Sequence, residues 1–427
     1  VTRRTITLPR RPFAAAVRVP GDKSLSHRAL ILAGMAEGTS HIAGAGPGAD
    51  VASTAKVLRE VGVTVTADTV TSPGVGAWRH PAAHLDCGNS GSTLRLLAGA
   101  LAGRPFPSVL SGDDSLRRRP MRRLAVPLLA LGGQVRLTEP AGTAPVTVGG
   151  GPGLRGATVE IELASAQVRS SFALAALQAD GVSQIDSPPG FRDHTERWLH
   201  ALGLGRRVTA TRFEIVPGPV PVNDYAIPGD PSSAAYLWTL AALRRGATVT
   251  TPDVSLNPGR IGFLEVLEGF GAEITAEVTG HVLGDPVGTV TVRGRGLFAT
   301  DVAGELATAT LDELPLVGVL GALAEGVTVV RNAAELRTKE SDRIATTVSM
   351  IRALGGGAEP TEDGFVVVGT GFLEPGNVDS RGDHRIAMAA SVAAAAVDGA
   401  VTVTDAAAAG VSWPGFYEIL ERLWSSP

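Results

Sequence analysis

Along the chain, two kinds of apolar pattern alternate in a fixed order. Ala- and Leu-rich stretches with the spacing of helices end at glycine, where a positive φ is often required. Short β-branched runs such as Val63-Thr64-Val65 and Val366-Val367-Val368 read as strands. A polar turn stands before each main Ala/Leu stretch. The order is strand, polar turn, helix, strand, loop, second helix, Leu-Gly and a closing strand. It recurs about every 65–75 residues, a period long enough for a compact folding unit.

Six copies are legible. The first, from Val17, has Gly21-Asp22-Lys23-Ser24, a helix expected over Arg28 to Ala36, Gly38, and a second helix to Val61-Gly62. The second opens at Leu85 with Gly88-Asn89-Ser90-Gly91, and its helices close near Gly103 and at Leu131-Gly132. The third starts at Val159; Ser165-Ala166-Gln167 opens its helix, and Gly181 and Leu202-Gly203 follow. The fourth has Gly229-Asp230-Pro231-Ser232-Ser233 and ends at Phe270-Gly271. The fifth has Leu311-Asp312-Glu313-Leu314-Pro315, Gly326 and Leu354-Gly355. The sixth has Gly382-Asp383-His384-Arg385, Gly399 and a last helix from Phe416 to Leu423. An α/β (α+β) fold is expected, with three βαβαββ-type units in each of two domains and a division near Gly229.

Length agrees, since 427 residues exceed one ordinary core and suggest two domains of roughly 200 residues each. With 44% hydrophobic and 19% charged residues, extensive disorder is not expected. A net charge of −4 provides no global field for nucleic acid or a membrane surface, so any anion site must be a local cluster. Cys87 is the sole cysteine, which excludes an intrachain disulfide and a cysteine metal cage and fits a reducing, cytoplasmic setting. Val1 to Arg11 has no secretory pattern, and the apolar stretches are too interrupted by turn residues to read as membrane spans.

Candidate chemistry lies in the polar turns, because a helix N-terminus directs N–H groups and positive potential at an anion. Lysine occurs only at 23, 56 and 339. Arg cannot release a proton, so a retained Lys marks either a proton-moving position or chance. Gly21 to Arg28 packs two cations and two hydroxyls at one helix start. It is not a P-loop, because Asp22 stands where that motif needs Gly; a capped helix with surface charges is the plain alternative. Gly88 to Arg95 is a small-residue turn that lets a ligand approach the backbone. Of Arg117, Arg118, Arg119, Arg122 and Arg123, most read as solvated, and one turned inward could grip a carboxylate or phosphate. Asp312 and Glu313 lie in an apolar stretch, which suits a general base or a helix cap. Arg337 to Arg343 alternates in charge and contains Lys339. His80 and His84 have Pro81 between them, so a helical metal pair is not expected.

Together these turns resemble the EPSP synthase (3-phosphoshikimate 1-carboxyvinyltransferase) family over nearly the whole chain. The motifs that carry the resemblance are Gly21 to Arg28, Leu85 to Arg95, Gly112 to Met121, Ala164 to Ser170, Arg192 to Glu196, Asp312 to Pro315, Lys339 to Arg343 and Asp383 to Arg385. Ser165 to Ser170 looks like the bacterial class II subgroup. The resemblance implies a two-domain enolpyruvyl transferase fold: residues 21–228 as one domain, 1–20 plus 229–427 as the other, and an active site in the interdomain cleft. It implies transfer of the enolpyruvyl group of phosphoenolpyruvate to the 5-hydroxyl of shikimate 3-phosphate, with phosphate released and no metal or organic cofactor.

By the same resemblance, Lys23, Ser24, Arg28, Ser165, Ala166, Gln167, Arg192, Asp312 and Lys339 match contacts to shikimate 3-phosphate. Lys23, Asn89, Gly91, Arg119, Gln167, Arg343 and Arg385 match the phosphoenolpyruvate pocket. Asp312 matches the base for the 5-hydroxyl and Glu340 the acid that protonates the methylene carbon; Lys339 assists, and Lys23 is counted with the catalytic group. The expected partners are these two small molecules, with no nucleic acid, no membrane and a monomeric chain. Gly91 keeps the small residue that in the family accompanies sensitivity to glyphosate.

Three departures stand out. Val411 replaces a lysine that many class I members use; Ser90, Ser92 and Leu94 vary the Asn-Ala-Gly-Thr turn; and Gly190-Phe191 before Arg192 is unusual. Two other readings remain. UDP-N-acetylglucosamine enolpyruvyl transferase shares the fold and usually has a reactive Cys in the loop matching Gly112 to Arg119, where this chain has none. A non-catalytic phosphoanion-binding relative would keep the site without the chemistry.

Overall fold

The computed structural model describes residues 2–424. Residue 1 and residues 425–427, which the sequence reading places in the C-terminal domain, lie outside the described residues. The chain forms two compact units. The Gly21 unit holds Gly21–Ile227 and His281–Asp285; the Pro228 unit holds the residues up to Pro20, Pro228–Gly280 and the chain from Pro286 onward. The short His281–Asp285 segment has a physical tie to the first unit. Asp285, fully buried, lies 3.0 Å from His194 Nδ1, which is also fully buried.

Each repeat has its own small sheet, and in the Gly21 unit three four-stranded sheets share one pairing pattern, beside a two-stranded parallel pair of Leu154–Arg155 with Ala179–Asp180. Tyr225–Ala226 pairs parallel with Glu37–Ala43, which pairs antiparallel with Thr69–Pro73, which takes Thr64–Val65 on its far side. Leu85–Asp86, Pro107–Ser111, Thr143–Gly149 and Val135–Thr138 repeat that order. So do Thr158–Glu160, Ser183–Asp186, Phe213–Ile215 and Gly205–Arg207. In the Pro228 unit, Ala14–Ala16 supplies the parallel neighbour of Thr248–Ser255. Arg3–Ile6 pairs with Val401–Thr404, so the chain start completes two sheets of that unit.

The first helix of each repeat is buried almost all round. Pro231–Ala242 and His384–Ala393 bury every residue. Such helices need small and aliphatic side chains on all faces. Gly99 shows how closely they pack: a Cβ there would lie 2.0 Å from the Ser171 carbonyl oxygen, so Gly91–Ala102 meets Ala166–Ala176 backbone to backbone. Second helices are amphipathic; Ala49–Glu60 buries Val51, Thr54, Val57 and Leu58 on one stripe. Each unit has its own apolar core. Leu25, Leu97, Phe172 and Trp198 lie in one; Trp238, Phe263, Leu316 and Phe416 lie in the other.

Caps fix where the buried helices begin. Asp22, Ser90, Ser165, Asp230 and Asp383 each accept a hydrogen bond from a backbone N–H of the first turn. Glu313 occupies the cap position of Leu314–Leu323 without such a bond. The first helix starts at Lys23, not Arg28, because Asp22 caps it by accepting from Leu25 N at 2.9 Å. The polar run from Lys23 to Arg28 is therefore the first turns of the helix, and Ser24 lies inside it rather than at its cap.

Candidate functional site

In the Gly21 unit, three helix starts carry a connected set of polar side chains. Lys23, the first residue of its helix, donates from Nζ to Asp50 Oδ2 at 3.1 Å and stays one-quarter exposed. One turn on, Arg28 is nearly buried. Its Nε donates to Thr195 Oγ1 and its Nη2 to Ser170 Oγ, both at 2.8 Å, and Nη1 reaches the Ser24 carbonyl at 2.9 Å. Ser170 and Thr195 hydroxyls lie 2.6 Å apart. This ties the Lys23 helix to the starts of Ala166–Ala176 and His194–Ala201.

The Asn89–Gly91 turn forms a second cluster. Arg119 is the buried member of the arginine run; Arg117, Arg118 and Arg122 are exposed. It donates to Asn89 Oδ1 at 2.5 Å and to Ser115 Oγ at 3.3 Å, while Asn89 Nδ2 donates to Asp113 at 2.6 Å. Arg95 donates to Gln167 Oε1 at 2.7 Å, and Gln167 Nε2 donates to Ser92 Oγ at 2.9 Å. Gly91 lies between these guanidinium groups. A Cβ there would stand 2.7 Å from Arg95 Nη1 and 3.4 Å from Arg119 Nη1, so a side chain would crowd both. Ser165 caps its helix through Val168 N, with Ala166 as the first helical residue. Arg192 is half-buried in the loop before His194–Ala201.

Behind these turns His27 Nδ1 lies 2.7 Å from Thr54 Oγ1, which lies 2.7 Å from Thr93 Oγ1, whose hydroxyl reaches Ser90 Oγ at 2.8 Å. Burial drives the His27 pKa down to about 3, outweighing the pull of Asp50. The folded chain thus keeps His27 neutral while the unfolded chain protonates it below about 6.5. Stability from this group is complete above that value and is lost as pH falls toward 3. Between pH 7 and 5 the loss should be about 2 kcal/mol. Unfolding free energies from urea titrations at both pH values should fall by that much less in His27→Gln than in the wild type; an identical fall would contradict this assignment.

In the Pro228 unit, one guanidinium gathers three carboxylates. Arg343 opens the Arg343–Ala353 helix with its side chain 2% exposed. Its Nε donates to Asp383 Oδ2 at 2.8 Å, its Nη1 to Asp312 Oδ1 at 3.3 Å and its Nη2 to Glu340. Burial would lower its pKa, but Asp383, Glu340 and Asp312 outweigh that and hold it above the usual value. For Asp383, burial pushes upward and Arg343 pulls it below the ordinary carboxylate range. Asp383 also accepts from Ser341 Oγ at 2.9 Å and caps the next helix through Arg385 N. Asp312 therefore lies in ionic contact rather than in apolar surroundings, and Glu313 is the buried carboxylate of the pair.

Arg385 is buried on the His384–Ala393 helix; against burial, Tyr236, Asp312, Glu313 and Asp230 hold its pKa well above normal. Lys339 pairs with Glu335, one turn back, at 2.8 Å and is about one-quarter exposed. Asp383, Arg95, Ser170 and Thr195 belong to these clusters although sequence reasoning gave them no role. The acidic cap two residues before Arg385 was the available signal for Asp383. Among the described residues, no group of three or more His, Cys, Asp or Glu could hold a metal ion, and no helix is long and apolar enough to cross a membrane.

Residues 9–420 match the model of the family described as EPSP synthase (3-phosphoshikimate 1-carboxyvinyltransferase). A 3-phosphoshikimate 1-carboxyvinyltransferase of Chloroflexus aurantiacus is 46% identical over 426 residues, covering 97% of this chain and 98% of the relative. One from Herpetosiphon aurantiacus is 44% identical over 411 residues, covering 94% and 95%. The solved EPSP synthase from Acinetobacter baumannii superposes with a TM-score of 0.87 at 36% identity, over 99% of this chain and 98% of that one. The enolpyruvyl transferase NikO from Streptomyces tendae, 17% identical with a TM-score of 0.77 over 99% and 97%, shares the fold.

Proposed function

The chain belongs to the EPSP synthase (3-phosphoshikimate 1-carboxyvinyltransferase) family, and from that membership we propose that it moves the enolpyruvyl group of phosphoenolpyruvate to the 5-hydroxyl of shikimate 3-phosphate. Lys23, Ser24, Arg28, Ser165, Ala166, Gln167, Arg192, Asp312 and Lys339 take the acceptor. Lys23, Asn89, Gly91, Arg119, Gln167, Arg343 and Arg385 take the enol donor. Two anions repel each other, and planar arginines that bind carboxylate and phosphate through paired hydrogen bonds offset that repulsion.

Asp312 accepts the 5-hydroxyl proton as that oxygen bonds to C2 of phosphoenolpyruvate, and Glu340 delivers a proton to the C3 methylene, with Lys339 assisting. Glu340, now deprotonated, takes a proton back from the new methyl group of the tetrahedral adduct as the C2=C3 double bond re-forms and the C2–O bond to phosphate breaks, and the proton held by Asp312 leaves with the phosphate or to solvent. Positive charge developing at C2 is stabilised by nearby carboxylates. The observation that supports this reading most is the contact of Arg343 with both Asp312 and Glu340. A base and an acid that share one cation lie close enough to serve one substrate.

Against the UDP-N-acetylglucosamine reading stands Cys87, buried and with its thiol pKa pushed up by burial, the opposite of an activated nucleophile. Lys23→Met tests the anion assignment. Loss of one charged hydrogen bond, worth ~1.5–3 kcal/mol, should lower kcat/KM by about 10- to 100-fold. Wild-type kcat/KM for both substrates would remove Lys23 from the site.

A further inference from the structure

The loop between Ser183–Asp186 and His194–Ala201 is wrapped around a single buried cation, Arg169. Arg169 stands on the Ala166–Ala176 helix with its side chain 1% exposed. Its Nε donates to Glu196 Oε1 at 2.6 Å, and its Nη1 donates to Ser187 Oγ at 2.9 Å. The face of the same guanidinium is covered by the Phe191 ring, 3.9 Å from the ring centroid. Ser187 begins the loop, Phe191 is in its middle, and Glu196 lies in the first turn of the helix that follows.

A guanidinium donates hydrogen bonds in its plane and attracts an aromatic ring on its face, so the three contacts use different directions and do not compete. Together they fix the loop at both ends and at its centre. Arg192 is the neighbour of Phe191, and the Arg169 backbone N–H bonds to the Ser165 carbonyl at 3.0 Å. The guanidinium therefore anchors the loop that carries Arg192, and the helix from which it projects is the one that Ser165 caps. Ser170, next to Arg169, holds Arg28 at 2.8 Å. Gly190-Phe191 is one of the sequence departures noted above, and the stacking gives Phe191 a purpose.

We propose that Phe191 is a positioning residue that, by stacking on Arg169, sets where Arg192 is presented to the phosphate of the acceptor. The inference rests on the reading of Arg192 as an acceptor contact. Loss of the ring would leave Arg169 held at its edge by Glu196 and Ser187 but would release the loop centre, so the effect falls on acceptor binding rather than on the acid–base pair.

The test is a double-mutant cycle of Phe191→Ala and Arg192→Ala, read as KM for shikimate 3-phosphate, KM for phosphoenolpyruvate and kcat, with Phe191→Tyr as the conservative variant. Phe191→Ala should raise KM for shikimate 3-phosphate by about tenfold, since a small misplacement of a binding group is enough for that. It should leave the phosphoenolpyruvate KM within about twofold, because that pocket uses other turns. Phe191→Tyr should restore the wild-type value, and adding Phe191→Ala to Arg192→Ala should change little more. An unchanged acceptor KM in Phe191→Ala, or effects that simply add, would overturn the inference while a raised KM in Arg192→Ala left the wider reading standing. An unchanged KM in Arg192→Ala would overturn the assignment of Arg192 itself and the inference with it.

Discussion

Glu340→Gln should lower kcat by about 10²- to 10⁴-fold, the range expected when a general acid is lost. Gln has the size of Glu and can still accept from Arg343, so the cluster stays in place without a transferable proton. KM for both substrates should change far less than kcat, because the lost interaction belongs to the transition state rather than to ground-state binding. Steady-state kinetics with each substrate varied in turn provides the check. Turnover near the wild-type rate would mean that the proton reaches the methylene carbon from another group.

The largest stability effect is expected at Asp383. Its carboxylate is fully buried against Arg343 and also caps the His384–Ala393 helix. Removing one partner of a buried ion pair costs about 3–5 kcal/mol. Asp312 and Glu340 still face Arg343, which places the electrostatic part at the low end, and loss of the cap adds about 1 kcal/mol. Asp383→Ala should therefore destabilise the Pro228 unit by about 4 kcal/mol, lowering its thermal midpoint by roughly 8–16 °C for a unit of ordinary domain size. The sign with pH follows from the depressed pKa of Asp383: its contribution is present above the usual carboxylate range and disappears as pH falls through the folded value. Scanning calorimetry at neutral pH reads the midpoint directly, and a shift of under two degrees would remove Asp383 as the keystone of that cluster.

Much of the architecture is legible because the main helices differ so plainly from their surroundings. A stretch such as Pro231–Ala242, apolar on every side and preceded by Asp230, has no alternative to a buried capped helix. The pattern of apolar positions starts the Lys23 helix late because its first turns are polar, and polarity resembles a loop until the cap at Asp22 is seen. Sequence context puts Asp312 in apolar company; its partner, Arg343, is distant in sequence and invisible to local pattern. Nothing in the periodicity marks His281–Asp285, because the burial of Asp285 depends on His194, equally distant. Local chemistry thus reveals caps and buried faces, while ionic clusters built from several repeats need the fold before their members can be named.

The most direct trial of the whole account is phosphate release from phosphoenolpyruvate with shikimate 3-phosphate or UDP-N-acetylglucosamine as acceptor, run side by side for wild type and Glu340→Gln. The expected result is one phosphate released per shikimate 3-phosphate consumed, none above background with the nucleotide sugar, and near-silence from the variant. Release with the nucleotide sugar instead, or tight binding of both shikimate 3-phosphate and phosphoenolpyruvate by the wild type without any phosphate appearing, would contradict it.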